Sequence, residues 1–368
     1  MAIKIYVAAS SQHVGKTTST LGLVSALKKR GYQVGYCKPV GQQAVLFGGL
    51  LADKDAQLFA NTMQFSLAPE LHSPVILGKG ATTDFLDHPL RFQYEASILH
   101  ASHQLEAAND VVVYEGTGHP GVGSIVNLSN ADVAKLVDAR VVVVVEGGIG
   151  STIDVLNMSL ALFRERQVKI AGVIINKTLP EKIDKVRQYV GQWLGAKGIP
   201  LLGILPFDET LANPTMDMIC SAVHGRVVAN EQSLDNKVEH IASGSLIEES
   251  DYQVQPHTLI IVNYRRLDQA FDAIRETLNN AEEAQNLISG IVVHGEQSAI
   301  QHLRSADFQC YTFLEKARIP LIATTLDTYG SAVRISHLEV KINTRTLWKV
   351  QRAIELMEQN VRIDALLD

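Results

Sequence analysis

Apolar runs alternate with amphipathic stretches over roughly the first two hundred positions of the chain. Positions 141–145 are five consecutive valines, a pattern typical of a parallel strand that is buried on both faces. Positions 17–30 repeat apolar residues at helical spacing and stop at Gly31. The pattern predicts strands at 3–9, 33–38, 110–115, 140–146, 169–176 and 200–206, and helices at 17–30, 91–108, 152–166 and 181–195. Strands that alternate with helices indicate an α/β fold with a doubly wound, mainly parallel sheet.

The pattern changes in the second part of the chain. Positions 226–255 are polar and acid-rich, and we interpret them as a boundary region or a loosely structured start of the next unit. A shorter series follows, with strands predicted at 258–262, 290–293 and 320–322 and helices at 267–279, 297–304 and 344–360. We therefore expect a first domain at 1–214, a second, smaller α/β domain at 215–335 and a C-terminal helical segment at 336–368.

The amino-acid composition and net charge exclude several classes of protein and of binding partner. Hydrophobic residues make up 46% of the chain and charged residues 20%, a balance that excludes a disordered protein. The net charge is -6 without a block of like charge, so we expect no nucleic-acid partner. The apolar runs are too short for a membrane helix, so we also expect no membrane partner. Three widely spaced cysteines, Cys37, Cys220 and Cys310, favour a reducing cytoplasm.

The strongest chemical signal is a phosphate-loop pattern between the first strand and the first helix. Backbone N–H groups and a helix N-terminus at such a turn attract phosphate. Lys16 would reach the outer phosphates, and the Thr17 hydroxyl would hold Mg²⁺. Ser10 stands where the standard pattern has glycine, and a plain strand-to-helix turn is the alternative. The predicted nucleotide-binding residues are Gln12, His13, Val14, Gly15, Lys16, Thr17 and Thr18.

Polar residues end several of the predicted strands, where ligands of open parallel sheets collect. Lys38 follows the second strand, and Glu115 ends the third and suits Mg²⁺. Asp55 is a weaker metal candidate, and Asn176 could meet the nucleotide base. Each has an ordinary alternative: a surface lysine, two solvated acids and a turn-forming asparagine. We interpret His13 as a solvated loop residue rather than a catalytic one.

These residues resemble a known family. Residues 12–18 with Gly35-Tyr36-Cys37-Lys38-Pro39-Val40 look like dethiobiotin synthetase, and Glu115-Gly116-Thr117-Gly118, Gly172-Val173-Ile174-Ile175-Asn176 and Leu205-Pro206 fit in order. The following part resembles the domain called DRTGG. Together they resemble the N-terminal part of the long bacterial phosphotransacetylases, whose relatives often carry cobyrinic acid a,c-diamide synthase labels.

The resemblance implies a P-loop NTPase fold, ATP and Mg²⁺ as cofactors, and a homodimer. It assigns catalytic roles to Lys16 and Lys38, adenine contact to Asn176, and Mg²⁺ ligation to Thr17, Asp55 and Glu115. It implies that ATP phosphorylates a carboxylate or carbamate of a small-molecule substrate, which an amine then attacks.

The chain also departs from the family pattern around the substrate. Gln42 and Gln43 replace small and hydroxyl residues, and Gly-Thr-Gly-His-Pro-Gly follows Glu115 in place of Gly-Ala-Gly-Gly. Of the name-giving DRTGG motif, residues 263–266 keep only the arginine in place. A nucleotide-sensing regulatory module is therefore the alternative. A partition-type ATPase is a third reading, and the absence of an extra lysine in residues 10–13 counts against it.

Overall fold

The computed structural model describes residues 2–247, 254–280, 286–295, 311–338, 340–343 and 346–367. Contacts divide the chain into two units, Met1–Asp208 with Ile342–Asp368, and Glu209–Lys341. The strands are β1 Ile3–Ala9, β2 Val34–Cys37, β3 Val40–Gly41, β4 Ala44–Phe47, β5 Leu50–Asp53, β6 Val75–Ile76, β7 Val111–Glu115, β8 Arg140–Glu146, β9 Ile170–Thr178, β10 Leu201–Pro206, β11 Arg226–Ala229, β12 His240–Ser243, β13 Thr258–Asn263, β14 Ile288–His294 and β15 Leu321–Thr324.

The described helices connect these strands, as the alternating pattern predicts. They are α1 Lys16–Lys29, α2 Lys54–Met63, α3 Pro69–His72, α4 Ala81–Asp87, α5 Tyr94–Ala108, α6 Asn130–Leu136, α7 Gly150–Glu165, α8 Ile183–Gly195, α9 Glu209–Ala212, α10 Met216–Ala222, α11 Gly244–Ile247, α12 Leu267–Asn280, α13 Tyr311–Ala317, α14 Thr328–Ser336 and α15 Leu347–Asn360.

The first unit is built on a six-stranded parallel sheet in the order β10-β9-β8-β1-β7-β2. The valines at 141–145 are almost fully buried, because helices cover both faces of the central strands. Val7 of β1 lies beside Glu115 of β7 and Val142 of β8. This register brings the carboxyl ends of β1, β2 and β7 to one edge, and that edge carries the candidate site. The predicted α/β, mainly parallel fold is confirmed.

The first sheet unit is completed by the end of the chain. The backbone N–H of Arg362 donates to the Leu202 carbonyl over 2.9 Å, and Val361 pairs with Gly203 of β10. Helix α15 packs on α1 so closely that a Cβ on Gly22 would lie 2.5 Å from the Met357 Cβ. Residues 342–368 therefore group with the first unit, whereas the sequence predicted only a separate helical segment from 336.

The second unit has its own five-stranded sheet in the order β11-β15-β14-β13-β12, parallel except for β11. Contacts start this unit at Glu209, six residues before the predicted boundary. The segment 226–255 belongs to this unit, as one of the two predicted alternatives has it, but its described part is not loosely structured, because β11 and β12 are both strands of this sheet. Polar side chains fit there because β11 and β12 are edge strands with one side exposed. The helix predicted at 297–304 lies outside the described residues, as does Cys310.

No helix in the described part of the chain is both long and apolar enough to cross a lipid bilayer.

Candidate functional site

The phosphate-loop pattern forms the turn between β1 and α1. His13 and Gly15 both adopt left-handed backbone conformations, with φ of 61° and 90°. Two neighbours hold the loop from the end of β9: Asn176 Nδ2 donates to the Val14 carbonyl over 2.8 Å, and Lys177 Nζ donates to the His13 carbonyl over 2.6 Å. The loop therefore leaves its backbone N–H groups and the start of α1 facing the sheet edge, the arrangement that binds phosphate.

Asn176 approaches the loop so closely that only glycine fits at position 15. A Cβ on Gly15 would lie 2.1 Å from Asn176 Nδ2. The sequence placed Asn176 near the adenine; in the structure its described hydrogen bond positions the phosphate loop instead. The contact with adenine stays a proposal.

Glu115 joins the end of β7 to the first turn of α1. The Thr17 hydroxyl donates to Glu115 Oε1 over 2.7 Å, and the Tyr36 hydroxyl donates to Oε2 over 3.2 Å. Glu115 is fully buried. Burial raises its pKa, and the positive charge of Lys38 opposes that rise. Glu115 is thus not the solvated loop acid that the sequence left open.

Lys38 is buried among three carboxylates. Its Nζ donates to Asp55 Oδ2 and lies 3.5 Å from Glu115 Oε1 and 3.8 Å from Asp53 Oδ1. Its side chain is only 6% exposed, so the surface-lysine alternative does not apply. Burial alone would lower the pKa of Lys38, but Glu115, Asp55 and Asp53 raise it well above its usual value, so the ammonium stays charged.

Asp53 is a site residue to which sequence analysis gave no role. It caps α2, with Oδ1 accepting from the Asp55 backbone N–H over 2.9 Å. Its Oδ2 accepts from the backbone N–H groups of Gln42 and Gln43 over 3.0 and 3.1 Å. Asp53 therefore fixes Asp55 and the 42–43 turn beside Lys38. An aspartate just before a helix is an N-cap signal that could have predicted this role.

Asn130, the first residue of α6, is a second residue that sequence analysis missed. Its Oδ1 accepts from the Tyr6 hydroxyl over 2.8 Å and the Thr117 backbone N–H over 2.9 Å, and its Nδ2 donates to the Thr117 and His119 carbonyls over 2.8 and 2.6 Å. These four bonds hold the loop that follows Glu115. A Cβ on Gly116 would lie 2.3 Å from Asn130 Oδ1, so the glycine after Glu115 is required by packing. Only the fold brings Asn130 to the loop after Glu115, and no local sequence pattern predicts this role.

Lys16 begins α1 on the other side of the site. Burial, and then the nearby positive charge of Lys38, lower its pKa to about 8, while Glu115, Asp55 and Asp53 act in the opposite direction. A lysine with a lowered pKa gains most from an added anion, because phosphate oxygens would stabilise its charged form.

The predicted magnesium ligands meet around one point. Thr17 bonds Glu115, and Lys38 contacts both Glu115 and Asp55. In the described part of the chain, no group of three or more His, Cys, Asp or Glu side chains could hold a metal ion by itself. Two carboxylates and a hydroxyl fit Mg²⁺ in the way that Mg²⁺ binds beside nucleotides, completed by phosphate and water oxygens. The donor set therefore fits the ion.

The structure brings the predicted site residues together. One edge of the first sheet carries the following predicted residues: Gln12, His13, Val14, Gly15, Lys16, Thr17, Thr18, Lys38, Asp55, Glu115 and Asn176. Gln12 and His13 are exposed, and Val14 is buried. Thr18 lies in the first turn of α1.

A family model described as an AAA domain, AAA_26, matches residues 4–215. That range is more than half of the chain and includes the whole site. The chain belongs to the AAA_26 family. Membership confirms the predicted P-loop resemblance.

Relatives of this AAA_26 chain include two groups of enzymes. The phosphate acetyltransferase of Synechocystis sp. is 22% identical over 380 residues, which cover 100% of this chain and 52% of that protein. A probable cobyric acid synthase of Methanosphaera stadtmanae is 28% identical over 246 residues, covering 58% of this chain and 47% of that protein. The chain spans about half the length of the curated relatives that it matches. The full-chain match confirms the resemblance to phosphotransacetylases.

One solved structure with a similar backbone is cobyrinic acid a,c-diamide synthase from Mycobacterium smegmatis with a bound ATP analog and magnesium. It is 16% identical, covers 57% of this chain and 88% of that chain, and has a TM-score of 0.39.

Proposed function

We propose that the first unit binds Mg-ATP at this edge and transfers the γ-phosphoryl group to a carboxylate or carbamate of a small molecule. The observation that carries the proposal is the buried Lys38 ammonium, held by three carboxylates beside the phosphate loop. A charged group fixed in advance in a water-poor site can stabilise the charge that develops during transfer.

Each site residue has a role in this proposal. The backbone of residues 12–18 and Lys16 bind the phosphates, and Asn176, which holds the loop, would also contact the base. Thr17, Asp55 and Glu115 would hold Mg²⁺, which neutralises phosphate charge when bound. Lys38 faces the phosphoryl group that is transferred.

The proposed reaction has two steps. A substrate oxygen bonds to the γ-phosphorus while the bond to the bridging oxygen of ADP breaks, so ADP leaves. An amine then attacks the activated carbonyl carbon, inorganic phosphate leaves with its electron pair, and the amine loses a proton.

A nucleotide-sensing module is the second candidate. Gln42 and Gln43, which are anchored to Asp53, differ from the residues that dethiobiotin synthetases usually place near their substrate. A second unit with its own sheet could receive the nucleotide signal.

Single-turnover ATP cleavage beside equilibrium ATP binding tests the proposal, with candidate amino-carboxylates present. We expect Lys38→Met to slow cleavage by about 10²–10³-fold and to weaken ATP binding much less, because Lys16 and the loop remain. Lys54→Met is the matched control, because Lys54 is an exposed lysine next to Asp55. Cleavage at the wild-type rate in Lys38→Met would refute the role of Lys38. A wild type that binds ATP but cleaves none with any candidate would favour the sensor.

A further inference from the structure

Lys38 contacts the same oxygen atoms that a divalent cation would need. Its Nζ donates to Asp55 Oδ2 and lies 3.5 Å from Glu115 Oε1, the oxygen that also accepts from Thr17 over 2.7 Å. Both carboxylates that fit Mg²⁺ are therefore already paired with an internal cation.

Two cations cannot share these oxygens at low cost. Glu115 is fully buried and the Lys38 side chain is 6% exposed, so water screens their surroundings poorly. A divalent ion that bound Asp55 and Glu115 would lie within a few ångströms of the ammonium. An anion placed between the two cations would remove that repulsion, and the outer phosphates of a nucleotide are such an anion.

We infer that Lys38 makes divalent-cation binding at this site conditional on a nucleotide phosphate, so that the site accepts the metal–nucleotide complex and excludes the free ion. This inference rests on the proposed Mg-ATP site. The phosphate gives the ammonium a second anionic partner, and the flexible four-carbon stem lets Lys38 turn from Asp55 toward it. Asp55 and Glu115 then become available to the cation. Lys38 is thus a specificity-determining residue of the site.

Asp53 takes no part in the binding of the divalent cation. Both of its oxygens accept backbone N–H groups, from Asp55 and from Gln42 and Gln43. It is therefore held in place as a cap, so Asp55, Glu115 and Thr17 are the residues at which the divalent cation takes the place of the Lys38 ammonium.

The test measures Mn²⁺ binding without nucleotide, by electron paramagnetic resonance of free Mn²⁺, on the full chain at pH 7. We expect wild type to bind Mn²⁺ weakly and Lys38→Met to bind one Mn²⁺ at least about tenfold more tightly, because a unit charge a few ångströms away has been removed. Lys38→Arg keeps the charge and should exclude Mn²⁺ as wild type does. Lys54→Met is the matched control: it removes an exposed lysine charge next to Asp55 in the sequence, and it should not produce the gain.

Equal Mn²⁺ affinity in wild type and Lys38→Met would overturn the inference, as would an equal gain in Lys54→Met. If Lys38→Met does not fold, measurements on wild type test the inference instead. Wild type that binds Mn²⁺ without nucleotide, in a way that Asp55→Asn abolishes, contradicts the inference. Wild type that shows no such binding supports it.

Binding of Mn²⁺ with a non-hydrolysable ATP analogue is measured in parallel. If wild type binds that complex while Lys38→Met gains no affinity for Mn²⁺ alone, the inference fails and the ATP site stands. If wild type does not bind the complex, the proposed function itself fails.

Discussion

At the scale of single residues, Gly15 meets two separate demands. Its φ of 90° is a left-handed conformation that residues with a Cβ adopt at a cost, and Asn176 Nδ2 occupies the space where a Cβ would lie. The contact matters for the loop because the same Asn176 amide holds the Val14 carbonyl.

We expect Gly15→Ala to lower both stability and ATP affinity. The Cβ would displace the Asn176 amide, so the loop would lose its anchor. The loop would then rearrange to relieve about 1–3 kcal/mol of strain, and we expect ATP affinity to fall roughly ten- to a hundredfold. Gly31→Ala is the matched control, because Gly31 has a φ of 89° and nothing within 4 Å of a Cβ. It should cost about 1 kcal/mol of unfolding free energy and leave ATP binding intact. Calorimetry and thermal unfolding measure both effects. Equal ATP affinity in the two variants would contradict the role of the Asn176 contact.

Sequence reasoning found Lys16, Thr17, Lys38 and Glu115 because each follows a recognisable strand or loop pattern. It missed the positioning roles of Asp53, Asn130 and Asn176. The role of Asp53 as the N-cap of α2 is local, and the sequence could have predicted it. Asn130 and Asn176 act by hydrogen bonds that join residues distant in the chain, Asn130 to Tyr6 and Asn176 to Val14. Only the packed fold brings those atoms together, so the local residue spacing does not predict these hydrogen bonds.

At the scale of elements, helix α15 carries a buried lysine. Lys349 is 0% exposed, and its Nζ lies 5.2 Å from the centre of the Trp348 ring. Burial lowers the pKa of Lys349 from its usual 10.5 to about 7. Below pH 7 the folded and unfolded states both hold the proton, so burial of the charged ammonium lowers the stability of the folded state. Between pH 7 and 10.5 only the unfolded state keeps the proton, so stability rises with pH.

We expect Lys349→Met to remove this pH dependence, so that the stability of the variant relative to wild type falls as pH rises above 7. Denaturant unfolding of both proteins from pH 6 to pH 9 measures the difference. Lys197→Met is the control, because Lys197 lies 4.7 Å from the centre of the Trp193 ring but is exposed. A difference between wild type and Lys349→Met that stays constant with pH would show that the lysine is not the titrating group.

The alternating pattern predicted the strands of the first sheet to within two residues at each end, and the order of elements followed from it. It did not predict that α15 returns to α1. The sequence of a helix indicates that one face is apolar, but it does not indicate which element covers that face. The short strands β3 to β6 were missed for another reason: runs of two to four residues give too little periodicity to recognise.

At the scale of the whole molecule, the hairpin of β4 and β5 leaves large apolar side chains in contact with water. Leu46, Leu50 and Leu51 are 74%, 56% and 55% exposed, and residues 44–52 carry no charge. Exposed apolar patches of this kind mark interaction surfaces. An uncharged hairpin can meet its own copy without like-charge repulsion, which supports the homodimer that the family resemblance implies.

We expect light scattering to give twice the chain mass of 40.2 kDa at micromolar concentration. Replacing Leu46 and Leu51 by aspartate should shift the protein to monomer, because the charges would repel across the two-fold contact. Leu90→Asp is the control, at a residue that is 99% exposed on a different segment, and it should remain dimeric. A monomeric wild type across the micromolar range would rule out the dimer.

Calorimetric titration with Mg-ATP tests the central claim most directly. We predict that wild type binds one Mg-ATP per chain. Lys16→Ala should bind at least about tenfold more weakly, because each lost charge-assisted phosphate contact is worth about 1.5–3 kcal/mol. Lys197→Ala, which removes an exposed lysine just after α8, should bind as well as wild type. Wild-type affinity in Lys16→Ala, or no binding by wild type, would contradict the assignment of this edge as the nucleotide site.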